Sequence, residues 1–388
     1  MTFTEVTERI AGGSDAALAA IIRGHSIPWT AVGPDADAIV RRIRSERIAG
    51  LVYECVGGLR ESDRCPADVR ERLAADARAQ AAAELLNQHE LRSVVRRLHA
   101  ERLPIVFLKG TALAYSLYAA PWQRPRVDND IFIRRADVDR FRTIMSAMGY
   151  SSPLHCDGEL LFCQFPLQKE TGGRFVCRFD CHWKISTQPV FADVLTFNEA
   201  IADAIALPAL GVHAKGLSPV HALLLACIHP VMHHRNERTL LWLYDIHLLA
   251  SSLSDRDLER FAGLAAVKRV AAICASQLET TAATFGTRIP AAIRATLKSP
   301  EAGNESREPS AAYLRQHRTW IDEVVSSVGA LPTWSDRVRL LREITVPSPR
   351  YVLRAYGFEA SPLALAALPL LYAHRLVSGG WRAVAGRK

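Results

Sequence analysis

The stretch FLKGTALAYSLYAAPWQRPRVDNDIFI, residues 107–133, decides how the rest of the chain is read. Ile105, Val106, Phe107 and Leu108 form a short apolar run after Pro104, the pattern of a buried strand. Lys109-Gly110-Thr111 then opens a helix that runs to Tyr118. The loop PWQRPR leads into Asp128-Asn129-Asp130, and Ile131, Phe132 and Ile133 bring the β-branched and aromatic residues of a second strand. Helical spacing returns from Asp137 to Met148, so the order is strand, helix, strand, helix.

Positions i and i+2 of a strand share a face, so Asp128 and Asp130 would stand side by side while Asn129 points away. Two unpaired carboxylates that close are costly, and a divalent cation resolves the repulsion; hard oxygen donors suit Mg²⁺ or Mn²⁺. Lys109-Gly110-Thr111, where a strand meets a helix N-terminus, reads as a phosphate-binding turn with Gly110 allowing close approach and Lys109 adding charge. The alternative is a plain glycine turn with Thr111 as an N-cap. The Walker A spacing is absent.

Two further strands are expected at 160–167 and 174–183, joined by the turn signal Glu170-Thr171-Gly172-Gly173. The result is a mixed sheet. In FVCRFDCHW, Arg178, Asp180 and His182 alternate onto one face, which makes Asp180 a candidate third carboxylate, as metal ligand or general base. The alternative is a hairpin face with a salt-bridged Asp180. From Thr4 to His99 the chain reads as helical, with Ile39, Ile43, Ala81 and Leu85 at helical spacings and breaks at Gly12–Gly13, 26–34 and 57–66. It is helical again after Ser218, with a polar interruption at 299–309. The expected class is α+β: a helical lobe at 1–100, a mixed-sheet core at 101–215 and a helical region at 216–388.

Of the 388 residues, 49% are hydrophobic and 23% charged, which excludes disorder as the main theme. A net charge of +8 favours an acidic partner, although the excess reads as spread along the chain. Eight scattered cysteines lack zinc-knuckle spacing and read as buried, reduced thiols in a cytoplasm; Cys177 and Cys181 flank Asp180. The apolar stretch 360–373 is shorter than the ~20 residues a bilayer span needs and reads as a helix packed on the body, with peripheral membrane contact the alternative. His229, His233 and His234, with Pro230 near the start of any helix there, read as structural histidines, and Trp242 and Tyr244 as core. No RRM, KH or zinc-knuckle pattern supports nucleic-acid binding.

The central stretch resembles the signature of the uncharacterised nucleotidyltransferase family often called NTP-transferase type 5, within the DNA polymerase β superfamily. The carrying residues are Leu108, Lys109, Gly110, Tyr118, Arg124, Asp128 and Asp130. Trp29, Gly149-Tyr150, Asp180 to Trp183 and the helices around 229–245 extend the likeness. It departs at Gly110-Thr111, where the superfamily has Gly-Ser, and at Asn129, where the middle residue is apolar. The resemblance implies transfer of a nucleoside monophosphate from an NTP to a hydroxyl of a peptide, small molecule or RNA. Asp128, Asp130 and Asp180 would hold Mg²⁺ or Mn²⁺ and carry catalysis. Lys109, Gly110, Thr111, Arg124 and Arg126 would bind the nucleotide, with Arg178 and His182 behind them or at the acceptor. The two departures leave open a nucleotide- or partner-binding protein without turnover, and a metal-dependent phosphotransferase is the other alternative.

Overall fold

The computed structural model describes residues 13–57, 65–152, 163–171, 175–298, 308–315, 320–359 and 361–385. Helices α1 (Ser14–Ile22), α2 (Ala36–Ser45) and α3 (Ala49–Val56) share one core, in which Ile39 and Ile43 are buried as their spacing predicts. Asp35 caps α2 by accepting from the N–H groups of Asp37 and Ala38. The expected helical lead-in before residue 13 lies outside the described residues. A break without glycine or proline separates α2 from α3, where Arg47 takes a φ of 59°.

Helix α4 (Ala67–Ala100) carries Ala81 and Leu85, as their helical spacing predicts, but Leu85 is 68% exposed. Apolar residues line the buried face at both ends of the helix, and over its middle turns that face is polar, with Asn87 and Glu90 buried and Glu84 partly so. Each finds a partner on the sheet side, so burial costs are met by hydrogen bonds and ion pairs rather than avoided.

Strands β1 (Val106–Phe107), β2 (Asn129–Phe132), β3 (Gln164–Thr171), β4 (Phe175–His182), β5 (Ile205–Ala206) and β6 (Lys215–Gly216) form one sheet among the described residues, in the order β3-β4-β2-β1-β6-β5. The β1–β2 and β3–β4 pairs are antiparallel, β2–β4 and β1–β6 parallel, so the sheet is mixed. Helix α5 (Lys109–Ser116) links β1 to β2, and α6 (Val138–Ala147) follows β2. The expected β3–β4 turn falls later than Glu170, since β3 runs to Thr171; residues 153–162 and 172–174 lie outside the description.

Both faces of the sheet are covered, which explains its continuous apolar runs. Phe107, Ile131, Phe179 and Cys181 pack with Leu91, Leu98 and Phe141 from α4 and α6. Val106 and Phe132 belong to a second core with Leu223 and Ile228. That core is built after α7 (Pro189–Ala192) and α8 (Phe197–Ala202) by α9 (Pro219–His233), α10 (Leu240–Ser252), α11 (Asp255–Val267), α12 (Ala271–Phe285) and α13 (Ala291–Lys298). Pro230 lies inside α9 near its end, not at the start; lacking an N–H, it forgoes the bond to the carbonyl four residues back, and the helix stops three residues later.

Beyond these lie α14 (Trp320–Ala330), α15 (Trp334–Thr345), α16 (Pro349–Ala355), α17 (Pro362–Ala366) and α18 (Leu368–Ala385). Among the described residues no helix is long and apolar enough to cross a membrane.

Candidate active site

Alternation along β2 sends neighbouring side chains to opposite faces: Asn129 and Ile131 toward α4, Asp130 and Phe132 away from it. Parallel pairing with β4 sets Asp130 directly beside Asp180, and Phe132 beside His182. His182 is buried, and its Nε2 lies 2.9 Å from Asp130 Oδ1 and 3.3 Å from Asp180 Oδ2. Gln164 Nε2 donates to Asp180 Oδ2 at 3.0 Å from the adjacent strand. Ligand atoms of Asp130, Asp180 and His182 all lie within 4.8 Å of one another, a donor set that fits a divalent cation.

Lys109 begins α5 with a φ of 44°, in the left-handed region that a residue with a Cβ adopts only under constraint. This bend brings its Nζ to 2.7 Å from Asp130 Oδ1. Burial alone would push the Asp130 carboxyl up, but Lys109 and His182 together overcome it and hold it below the usual carboxylate range. Burial likewise opposes the charge on Lys109, and Asp130 in front of it raises its pKa nonetheless. Asp128 stands just before β2 and lacks so close a cation. Burial, followed by repulsion from Asp130, pushes its carboxyl up to about 6 against the pull of Lys109.

On the opposite face Asn129 is 2% exposed and fully engaged. Its Nδ2 donates to Asn87 Oδ1 at 2.8 Å and to the Arg178 carbonyl at 3.0 Å. Its Oδ1 accepts from Asn87 Nδ2, Arg126 Nε and Thr111 Oγ1. An amide is required there because both donors and acceptors surround it, which accounts for a polar residue between the two aspartates. Thr111 therefore does not cap α5: Leu108 occupies the N-cap, and the Thr111 hydroxyl is buried against Asn129. Arg126 also pairs with Glu84 on α4 at 2.8 Å.

The space left by Gly110 has a different tenant from a phosphate. A Cβ at Gly110 would meet Arg124 Nη1 at 2.7 Å, so the missing side chain makes room for a guanidinium. Arg124 is itself buried and held by Asp245 of α10 through Nη2 to Oδ2 at 2.7 Å and Nε to Oδ1 at 3.2 Å. Tyr118 donates to the same Asp245 Oδ1 at 2.7 Å. Arg124 thus locks the central motif to the C-terminal helices.

His229, His234 and Trp242 pack ring against ring, with His233 alongside His229. Burial, then the charge of Lys109, drives His229 well below its ordinary range and His233 down to about 3. All three histidines are half-buried in this cluster of rings. A cavity of about 30 Å³ between Lys109, Arg124, His229, Trp242 and Asp245 has room for little more than water. A cleft of about 420 Å³ opens beside Asp128, bounded by Glu84, Asn87, Trp122, Arg126 and the exposed Arg178. Cys177 and Cys181, buried on the α4 side, face away from Asp180. The seven described cysteines are free, six of them buried.

A model of the family described as uncharacterised nucleotidyltransferases matches residues 33–286. The chain belongs to this family. It is therefore a nucleotidyltransferase, and no curated protein matches it at a significant level. Several residues that hold the candidate site together are far in sequence from their partners. Asn87, Glu84 and Asp245 lie 42, 42 and 121 residues from their partners Asn129, Arg126 and Arg124. The one available signal was the polar stripe Gln80, Glu84, Asn87 at helical spacing within an otherwise Ala- and Leu-rich helix.

Proposed function

We propose that the enzyme transfers a nucleoside monophosphate from an NTP to an acceptor hydroxyl, with Asp128, Asp130 and Asp180 as metal ligands. The observation that carries this reading is the in-register pairing of Asp130 with Asp180, touched by one imidazole. A divalent cation, Mg²⁺ or Mn²⁺, bound there would neutralise the triphosphate and the charge developing on the attacking oxygen. The acceptor oxygen forms a bond to the α-phosphorus as the bond from that phosphorus to the bridging oxygen breaks, and pyrophosphate leaves.

Lys109 is the nearest cation to the carboxylates and is the residue that would turn to the triphosphate. Asp180 takes the hydroxyl proton or orients the acceptor, and His182 fixes the two carboxylates relative to each other. Arg126 and Arg178 line the cleft beside Asp128, whose volume is in the range of small-molecule sites. Lys109, Thr111 and Arg126 remain nucleotide-side residues on this reading, while Arg124 and Gly110 act by keeping Thr111 and Lys109 in place. Peptide, small-molecule and RNA hydroxyls are the acceptor classes to be tried.

The test uses each of the four NTPs labelled at the α-phosphate, with Mg²⁺ or Mn²⁺ and a cell extract as acceptor. Transfer of label with release of pyrophosphate, lost in a folded Asp128→Ala variant, is the expected result. Nucleoside diphosphate as product would make the protein a phosphotransferase; metal-dependent binding without transfer would make it a binding protein.

A further inference from the structure

The net charge is not spread evenly, which corrects the reading of the sequence. Residues 331–388 hold nine Lys or Arg against three Asp or Glu, a net +6 of the chain's +8. This basic segment lies beyond residues 33–286, where the family model matches.

Its helices also point the wrong way for a buried terminus. On α18, the face that carries Tyr372 and Arg375 packs against α16: Tyr372 donates to the Pro347 carbonyl, and the Arg375 guanidinium stacks over Tyr351. With about 100° per residue, Leu370, Ala373 and Val377 fall on the opposite face. Leu370 is 74% and Val377 63% exposed, and Leu363 of α17 is 85% exposed. Trp334, at the start of α15, is also exposed, with Arg337 over its ring. Exposed Arg342 and Arg350 lie at the α15–α16 junction.

We propose that these C-terminal helices seat the protein in the plane of an anionic lipid surface, with Leu363, Leu370 and Val377 entering the acyl boundary. Outward leucines, an exposed Trp and an arginine-rich segment are the chemistry of an interfacial helix, which lies on a bilayer without crossing it. A second copy of the chain would bring another +6 against the same face, so like-charge repulsion disfavours self-association there. Nucleic acid would satisfy the arginines and leave the leucines in water.

The test is flotation of the full-length protein with vesicles of phosphatidylcholine, with and without phosphatidylglycerol. Binding only to the anionic vesicles, weakened by added salt, is expected. The Leu370→Glu/Val377→Glu variant should bind at least roughly tenfold more weakly. Its circular dichroism and melting temperature should be unchanged, because both side chains face solvent. Leu85→Glu, at an exposed leucine of α4, should bind as the parent does. No flotation with anionic vesicles, or equal binding by the double variant, overturns the proposal. So does a dimer by light scattering that the double variant dissolves, since a second copy would then own the surface.

Discussion

Replacing Asp245 by Asn isolates the clamp that ties the central motif to α10. The side chain keeps its shape and one acceptor oxygen, but loses the charge opposite Arg124. Both members are almost wholly enclosed, at 8% and 4% side-chain exposure, so solvent cannot take over the missing carboxylate. Removing one partner of such a buried pair costs about 3–5 kcal/mol, because the remaining charge is left uncompensated. Tyr118 adds to this, since its hydroxyl donates to the same oxygen that receives Arg124 Nε. In thermal unfolding followed by circular dichroism the loss corresponds to a fall of about 4–6 °C for a chain of 388 residues. The companion variant Arg124→Met/Asp245→Leu removes both charges and should recover most of the loss. A cost below about 1 kcal/mol for Asp245→Asn would refute the reasoning, as would strict additivity of the two single changes; either would mean that Arg124 is solvated and free to serve a ligand.

Three further outcomes are expected. Gly110→Ala should destabilise by about 1–3 kcal/mol in urea titration, because its Cβ meets Arg124 Nη1 at 2.7 Å and Asp245 prevents that guanidinium from yielding; an unchanged midpoint would show that it yields freely. Asn129→Leu should cost about 2–4 kcal/mol in the same titration by stranding Asn87, Thr111 and Arg126 without their acceptor, and a neutral effect would deny the network any weight. Stability should fall as pH drops below about 6.5: unfolded histidines bind protons there, whereas His233, held near 3, and the likewise depressed His229 do not. The slope from each is at most about 1.4 kcal/mol per pH unit and flattens for His233 near pH 3. His233→Phe should shallow it, and an identical slope in that variant would count against the assignment.

What the sequence made legible was local. The strand–helix–strand unit, the polarity break at Asp128 to Asp130 and the alternation of Arg178, Asp180 and His182 all depend on periods of two or about four residues. The family likeness rested on the same stretch. The pairing that sets Asp130 beside Asp180 needs β2 and β4 to run parallel, and no local pattern dictates that. The polar middle of α4's buried face was out of reach for a related reason. Apolar spacing marks Ala81 and Leu85 as helical, whereas Glu84 and Asn87 are drawn inward by partners more than 40 residues away. Arg124 illustrates the limit most sharply. A loop arginine beside a glycine turn looks like a phosphate ligand until Asp245, 121 residues away, is seen to hold it.

The neighbours of the carboxylates change what a metal would be needed for. From sequence, two adjacent carboxylates demand a cation. In the fold, Asp130 already has the ammonium of Lys109 and the imidazole of His182, and Asp180 has Gln164 and the same imidazole. Lys109 is thus a counter-charge for Asp130, while Asp180 has hydrogen-bonding neighbours. Asp128 is the group left over: its carboxyl is pushed up to about 6 because burial and Asp130 act on it more strongly than Lys109 does. On the proposed reading, Asp128 and Asp130 would hold the cation, which would supply positive charge against both carboxylates, and Lys109 would then be free to turn to a triphosphate. The strained backbone of Lys109, with its φ of 44°, is consistent with a side chain held in place by Asp130 and ready to leave when that hold is shared.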